Sequence, residues 1–186
     1  MMEKHKNPWQ TLNISKIYEN KWIEVSYRDV LNPAGNPGIY GIVHFKNIAV
    51  GVIPLDEHHN IWLVGQYRYA LDQYSWEIPE GGCPLGTSPL ATAQRELSEE
   101  VGIKAQKWTE ILQMDISNSV TDEKAVVFIA QELQFGTASP EETEQLQTRK
   151  LPFQEALQLV LDGIITDSLS VAGILKLHLL LQQNTL

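Results

Sequence analysis

Positions 81–103 read GGCPLGTSPLATAQRELSEEVGI, a turn-rich opening that passes into a single helical stretch. Ser88 can cap that helix, Pro89 suits its first turn, and Gly102 stands where a C-terminal glycine belongs. Leu90, Ala93, Leu97 and Val101 recur as one apolar stripe. At about 100° per residue, Glu96, Glu99 and Glu100 fall within roughly a 100° arc beside it, and they are expected to face solvent. Arg95 lies one turn before Glu99, within pairing reach. Carboxylates this close repel one another by roughly a few tenths of a kcal/mol per pair. A hard divalent cation relieves that repulsion, because Mg²⁺ takes oxygen ligands and leaves positions for water and substrate phosphate. Without a cation, such a cluster reads as an ordinary solvated helix face.

Upstream of the helix the chain is broken into short β-type runs. Ile23–Val30, Ile39–Phe45, Ile48–Leu55 and Ile61–Tyr69 are rich in branched and aromatic residues. Between them stand the turn cluster 32–38 and the polar break 56–60. Short connections of this kind imply antiparallel pairing of neighbours in sequence. Downstream, strands are expected near Ile111–Met114 and Ala125–Glu132, followed by an acidic loop from Gly136 to Gln147. Helices then read over Pro152–Leu161 and Ser168–Gln183, split by Asp162-Gly163. Strands first, a central helix and helices last predict an α/β (α+β) fold, a mixed sheet flanked by helices.

Composition narrows the function. The chain has 186 residues with 23 acidic against 14 basic side chains, a formal charge of −9. That balance argues against a grip on nucleic acid or on an anionic membrane, either of which needs clustered Lys and Arg. A bound polyanion would need positive charge from metal ions. The one cysteine, Cys83, makes no internal disulfide, the N-terminus lacks an apolar signal core, and Val171–Leu181 is too short to span a bilayer. A soluble cytoplasmic protein is the expectation. The five histidines form no ligand set, and Cys83 has no base beside it in sequence.

Gly81 followed by Arg95-Glu96-Leu97-Ser98-Glu99-Glu100-Val101-Gly102-Ile103 resembles the Nudix box, G-x5-E-x7-R-E-U-x-E-E-x-G-U, where U is aliphatic. Eight of its nine specified positions match at the correct spacing. Thr87 stands where the pattern has Glu, a departure that bears on metal affinity or activity. Gln66-Tyr67-Arg68-Tyr69 and Trp76-Glu77-Ile78-Pro79-Glu80-Gly81 are further similar to the lead-in of the ADP-ribose and nucleoside-diphosphate-sugar pyrophosphatases.

The resemblance implies a Nudix-type mixed β-sheet sandwiched by helices over 47–186. It also implies an N-terminal antiparallel β subdomain over 1–46 that helps form a homodimer. It implies hydrolysis of a nucleoside diphosphate linked to a sugar, giving nucleoside monophosphate and sugar phosphate. Glu96, Glu99 and Glu100 would hold Mg²⁺ or Mn²⁺, with the backbone carbonyl of Glu80 as a further ligand and Arg95 orienting the carboxylates. Glu142, supported by Glu144, would serve as the general base from the acidic loop. Arg68 is the nearest group for substrate phosphate or ribose, and Tyr67 and Tyr69 would pack on base or sugar. Strand alternation sets the two tyrosines on the face opposite Arg68. Many ADP-ribose pyrophosphatases carry a pattern like S-P-G-x-S-D-E beyond the box. Here positions 117–123 read SNSVTDE, with Asn118 at the proline. That moves weight toward a nucleotide sugar such as GDP-mannose. The alternatives are another nucleoside diphosphate derivative as substrate, or a non-catalytic nucleotide-binding Nudix domain whose direct support is Thr87.

Overall fold

Asn32 organises the first hairpin: its side-chain oxygen accepts from the backbone N–H of Ala34 and of Asn36, and Gly35 takes φ +83°. This is the turn expected from the cluster 32–38. The computed structural model describes residues 5–140 and 145–186. The chain divides into two compact units, Met1–Asn47 with Asp115–Glu123, and Ile48–Met114 with Lys124–Leu186.

The first unit is built on three antiparallel strands in the order β1 (Gln10–Glu19), β2 (Ile23–Leu31) and β3 (Pro37–Phe45). Tyr27 sits opposite Ser15 on one side and Gly41 on the other. The segment 115–123 is stitched to β3: Val43 N–H donates to the Val120 carbonyl, and the Tyr40 hydroxyl donates to the Ser119 carbonyl.

The second unit contains β4 (Asn47–Pro54), β5 (Asn60–Arg68), β6 (Gln73–Glu77), β7 (Glu80–Pro84) and helix α1 (Pro89–Val101). It continues with β8 (Ile103–Asp115), β9 (Lys124–Phe135), β10 (Gln147–Pro152), α2 (Phe153–Leu161) and α3 (Ser168–Gln183). One sheet has the order β7-β4-β9-β8, another β10-β5-β6. Here the antiparallel expectation needs correction. β4 lies parallel to β9, Ala49 opposite Ala125 through Pro54 opposite Ala130, and the residue after it, Leu55, forms an isolated antiparallel bridge with Ile61 of β5.

The side chains explain that arrangement. From Val50 to Leu55 and from Ala125 to Ala130 every residue is buried, so both strands need cover on both faces. Val50, Val52, Val126 and Phe128 join the core that includes Ala93 and Leu97 of α1. The alternate residues meet α3. A Cβ on Gly51 would sit 3.3 Å from Leu169, and one on Gly173 would sit 3.1 Å from Val127 and 3.2 Å from Ile53. Glycine at these two positions lets helix and sheet approach closely. The sheet is therefore sandwiched by helices, as expected.

Four strands escape the sequence expectation, β1, β6, β7 and β10, and β8 exceeds it. β1 is exposed along nearly its whole length and shows no clean alternation. β10 falls at the end of the expected acidic loop and buries only Leu151. β8 runs from Ile103, well before the expected start at Ile111. β10 is completed by β5, with Gln147 opposite Gly65, a partner far away in sequence that local pattern does not reveal, whereas β1 pairs with its sequence neighbour β2. Among the described residues, no helix is long and apolar enough to cross a membrane.

Candidate active site

Helix α1 is built as its residues dictate. The Ser88 side chain accepts from Ala91 N–H at 3.3 Å, and Gly102 closes the helix in the left-handed region at φ +70°. Arg95 then clasps two carboxylates, donating from one nitrogen to Glu96 at 2.5 Å and from another to Glu99 at 2.6 Å. The expectation that all three glutamates face solvent is corrected. Glu96 is only 6% exposed and Glu100 only 2%, whereas the Glu99 side chain is 31% exposed. Their stripe meets the β7 turn instead of water.

Gly81 makes that meeting possible. A Cβ built there would lie 1.9 Å from Glu96 Oε1 and 2.1 Å from its Cδ, so the carboxylate occupies the space a side chain would fill. One residue earlier, Glu80 N–H donates to Glu100 Oε2 at 3.0 Å. The peptides flanking Glu80 and Gly81 are thus pressed against two of the three box carboxylates. Clustered carboxylate oxygens beside a backbone carbonyl are the donor set that Mg²⁺ or Mn²⁺ accepts, so the residues present fit a divalent ion.

A second acidic group adjoins the first. Single carboxylate oxygens of Glu77, Glu80 and Asp167 lie within 4.8 Å of one another. Arg68 reaches into this group, with Nε 2.9 Å from Glu77 Oε1 and Nη2 2.5 Å from both Glu77 Oε2 and Glu80 Oε1. One guanidinium faces three carboxylates. Burial pushes the Glu80 carboxyl well above its ordinary range, helped by Asp167 and Glu77 and opposed by Arg68. Its Oε2 is buried without a hydrogen-bond partner. Arg68 is held firmly charged: burial works against it, and Glu77 and Glu80 outweigh that cost.

The remaining expected residues separate. Tyr67 is exposed and hydrogen-bonds Asp72 at 2.5 Å, while Tyr69 is 95% exposed just past the end of β5. Arg68 and Gln66 both point to Glu77, which fits the alternation that sets Tyr67 on the other face. Glu142 and Glu144 lie outside the described residues. Just ahead of them, Ser139 N–H donates to the Glu99 carbonyl at 2.8 Å and Gly136 N–H to the Gly102 carbonyl at 2.7 Å, so the preceding loop is tied to the end of α1. Thr87 closes its own turn, donating to the Pro84 carbonyl at 2.7 Å and meeting Cys83 Sγ at 3.1 Å. In the first unit, Asp122 pairs with His44 and accepts from Phe45 N–H.

Sequence reasoning did not single out Glu77 or Asp167 for the site. Glu77 stands in the quoted run before Gly81. Asp167 precedes the apolar run of α3 as an N-cap should, its side chain accepting from Ser170 N–H. Neither signal says that the two meet.

Residues 45–167 match the family model described as NUDIX domain. The chain is 35% identical over 141 residues to an ADP-ribose pyrophosphatase of Mycobacterium tuberculosis (strain ATCC 25618 / H37Rv), covering 74% of this chain and 67% of the relative. It is 32% identical over 172 residues to the ADP-ribose pyrophosphatase of Bacillus subtilis (strain 168), covering 91% and 92%. A crystal structure of an ADP compounds hydrolase superposes with a TM-score of 0.86 at 21% identity, over 98% of this chain and 99% of that one.

Proposed function

The chain belongs to the NUDIX family as a Nudix hydrolase, and from that premise we propose a Mg²⁺- or Mn²⁺-dependent cleavage of ADP-ribose or of a nucleotide sugar such as GDP-mannose. The products are nucleoside monophosphate and sugar phosphate. One observation carries the reading: Gly81 gives up its side-chain space to Glu96 while Glu80 N–H takes Glu100, so two carboxylates and the Glu80 peptide converge. The similarity to ADP-ribose pyrophosphatases supports the substrate class. Asn118, at the proline of the ADP-ribose pattern, supports the wider sugar range.

In this reading Glu96, Glu99, Glu100 and the Glu80 carbonyl hold the ion. Such an ion would supply charge neutralisation for the diphosphate and acidification of the attacking water. Arg95 keeps Glu96 and Glu99 in fixed orientations through its two short bonds. Glu142, with Glu144 in support, takes the proton from the attacking water; the tether of Ser139 to Glu99 supports this by delivering the chain to the end of α1. Arg68 donates to the sugar-side phosphate or ribose, with Tyr67 and Tyr69 as an exposed aromatic edge for base or sugar. The protein acts in the cytoplasm as a homodimer and takes no nucleic acid or membrane as partner. Exposed Leu12, Ile14, Ile17 and Ile39 on the strands of the first unit support the dimer.

The test is phosphate release from ADP-ribose and a panel of nucleotide sugars, with Mg²⁺ or Mn²⁺ and a coupled phosphatase that spares capped diphosphates. Release from one or a few substrates, abolished by chelator, is expected. Silence across the panel with both metals would sink the proposal and leave nucleotide binding without turnover as the reading.

A further inference from the structure

The peptide run Ile78–Gly81 carries the carbonyl assigned to the ion, and four separate elements hold it. Arg68 of β5 fixes the carboxylates of Glu77 and Glu80. Val52 N–H of β4 donates to the Pro79 carbonyl at 2.8 Å, and Glu100 of α1 accepts from Glu80 N–H at 3.0 Å. The fourth hold comes from α3. Ser170 Oγ accepts from Ile78 N–H at 2.9 Å across 92 residues of sequence, and both residues are fully buried. Ser170 is itself fixed, since its N–H donates to the Asp167 cap at 2.8 Å. The close approach of α3 to the sheet at Gly51 and Gly173 brings the hydroxyl within reach.

We infer that Ser170 is a positioning residue for the metal site, setting through the Ile78 amide where the Glu80 carbonyl lies. The inference rests on the metal-dependent reading above. Each other hold on the run acts on Glu77 or beyond Ile78, so the Ile78 peptide plane has Ser170 as its side-chain partner among the described residues. Losing that acceptor frees the Glu77–Ile78 peptide to turn. Val52 and Glu100 both bond the single Pro79–Glu80 peptide, through its carbonyl and its N–H, and so hold it along one axis about which it can still tilt. Rotation at Ile78 swings the Glu80 carbonyl, whereas the fold is held by the strands on either side.

The test measures Mn²⁺ binding directly, by titration followed with electron paramagnetic resonance, on the full chain without substrate. Ser170→Ala is compared with Leu169→Ala, which removes buried packing one position away on the same helix and leaves the hydroxyl in place. Ser170→Ala is expected to weaken Mn²⁺ binding by about 10- to 100-fold, as loss of a group orienting metal ligands does. Leu169→Ala is expected to lower the melting temperature at least as much with unchanged Mn²⁺ affinity. In turnover, Ser170→Ala should raise the Mg²⁺ concentration for half-maximal rate while KM for substrate at saturating metal stays within twofold. Unchanged Mn²⁺ affinity in folded Ser170→Ala overturns the inference, as does an equal weakening in Leu169→Ala. If Ser170→Ala does not accumulate, Ser170→Cys, a weaker acceptor, should show the same shift to a smaller extent, and no shift there overturns it too. Wild-type protein that binds Mn²⁺ yet hydrolyses nothing would sink the substrate proposal alone. Wild-type protein that binds no Mn²⁺ would remove both.

Discussion

A methyl group at position 81 is the smallest change that separates the site from the fold. Gly81→Ala places a carbon within 1.9 Å of Glu96 Oε1, and the atom it meets is the far end of a side chain, which can move. Glu96 must therefore leave its place while the backbone stays. We expect kcat to fall by about 10²-fold, the usual consequence of a misplacement near 1 Å, with a melting temperature close to wild type. Equal loss of activity and stability would show that the clash is absorbed by the backbone. Glu99→Gln is expected to abolish turnover with little change in stability, because the group is partly exposed and bonded only through Arg95 among the hydrogen bonds described. Glu100 behaves differently. Glu100→Ala leaves the Glu80 N–H without its acceptor, a cost of about 1–3 kcal/mol, so denaturant unfolding should shift as well as activity. The spacing of the box made these residues legible, because it depends only on helical period. Their burial was not, since solvent is excluded by the β7 turn, which the helix sequence does not encode.

At the scale of elements, Gly102 serves two structures. Its φ of +70° ends α1, and a Cβ there would sit 2.6 Å from Ala138 N and 2.8 Å from the Thr137 carbonyl carbon. Gly102→Ala is expected to cost on the order of 1–3 kcal/mol for the conformation alone, and the backbone clash adds to it. Denaturant midpoints would check this, and a change under about 0.5 kcal/mol, the range of neutral surface substitutions, would contradict it. The turn between β4 and β5 makes a pH prediction. Asp56 accepts from His58 N–H, Asn60 N–H and the Asn60 side chain, and pairs with Lys150 at 2.8 Å. Burial pushes its carboxyl up, but these bonds prevail and hold it well below the usual carboxylate range. A folded-state pKa below the unfolded value of about 3.9 stabilises the protein above that value. The contribution is lost as pH falls through it toward the folded pKa. Thermal unfolding from pH 6 to pH 3 should show the loss, and Asp56→Asn should flatten that part of the profile. A parallel profile in the variant would assign the acid sensitivity elsewhere.

For the whole molecule, the exposed apolar strands of the first unit bear on assembly. Sedimentation equilibrium is expected to give about twice the 21.0 kDa chain mass, and Ile14→Glu with Ile17→Glu to give the single chain. A monomer in the wild type would remove the dimer. The sequence by itself determined the box motif, the caps of its helix, strands β2 to β5, β8 and β9, the helices, and the acidic balance. Each of these depends on neighbours within a few turns or on composition. The tertiary structure alone decided that β4 runs beside β9 in parallel, that 115–123 belongs with the first unit, and that Glu77, Glu80 and Asp167 share one place. It also decided that Ser170 holds Ile78. These are pairings between residues tens of positions apart, selected by which buried faces and hydrogen bonds can be satisfied together. Such a choice leaves no periodic trace in either partner's sequence, because each strand or cap reads the same whichever distant segment completes it.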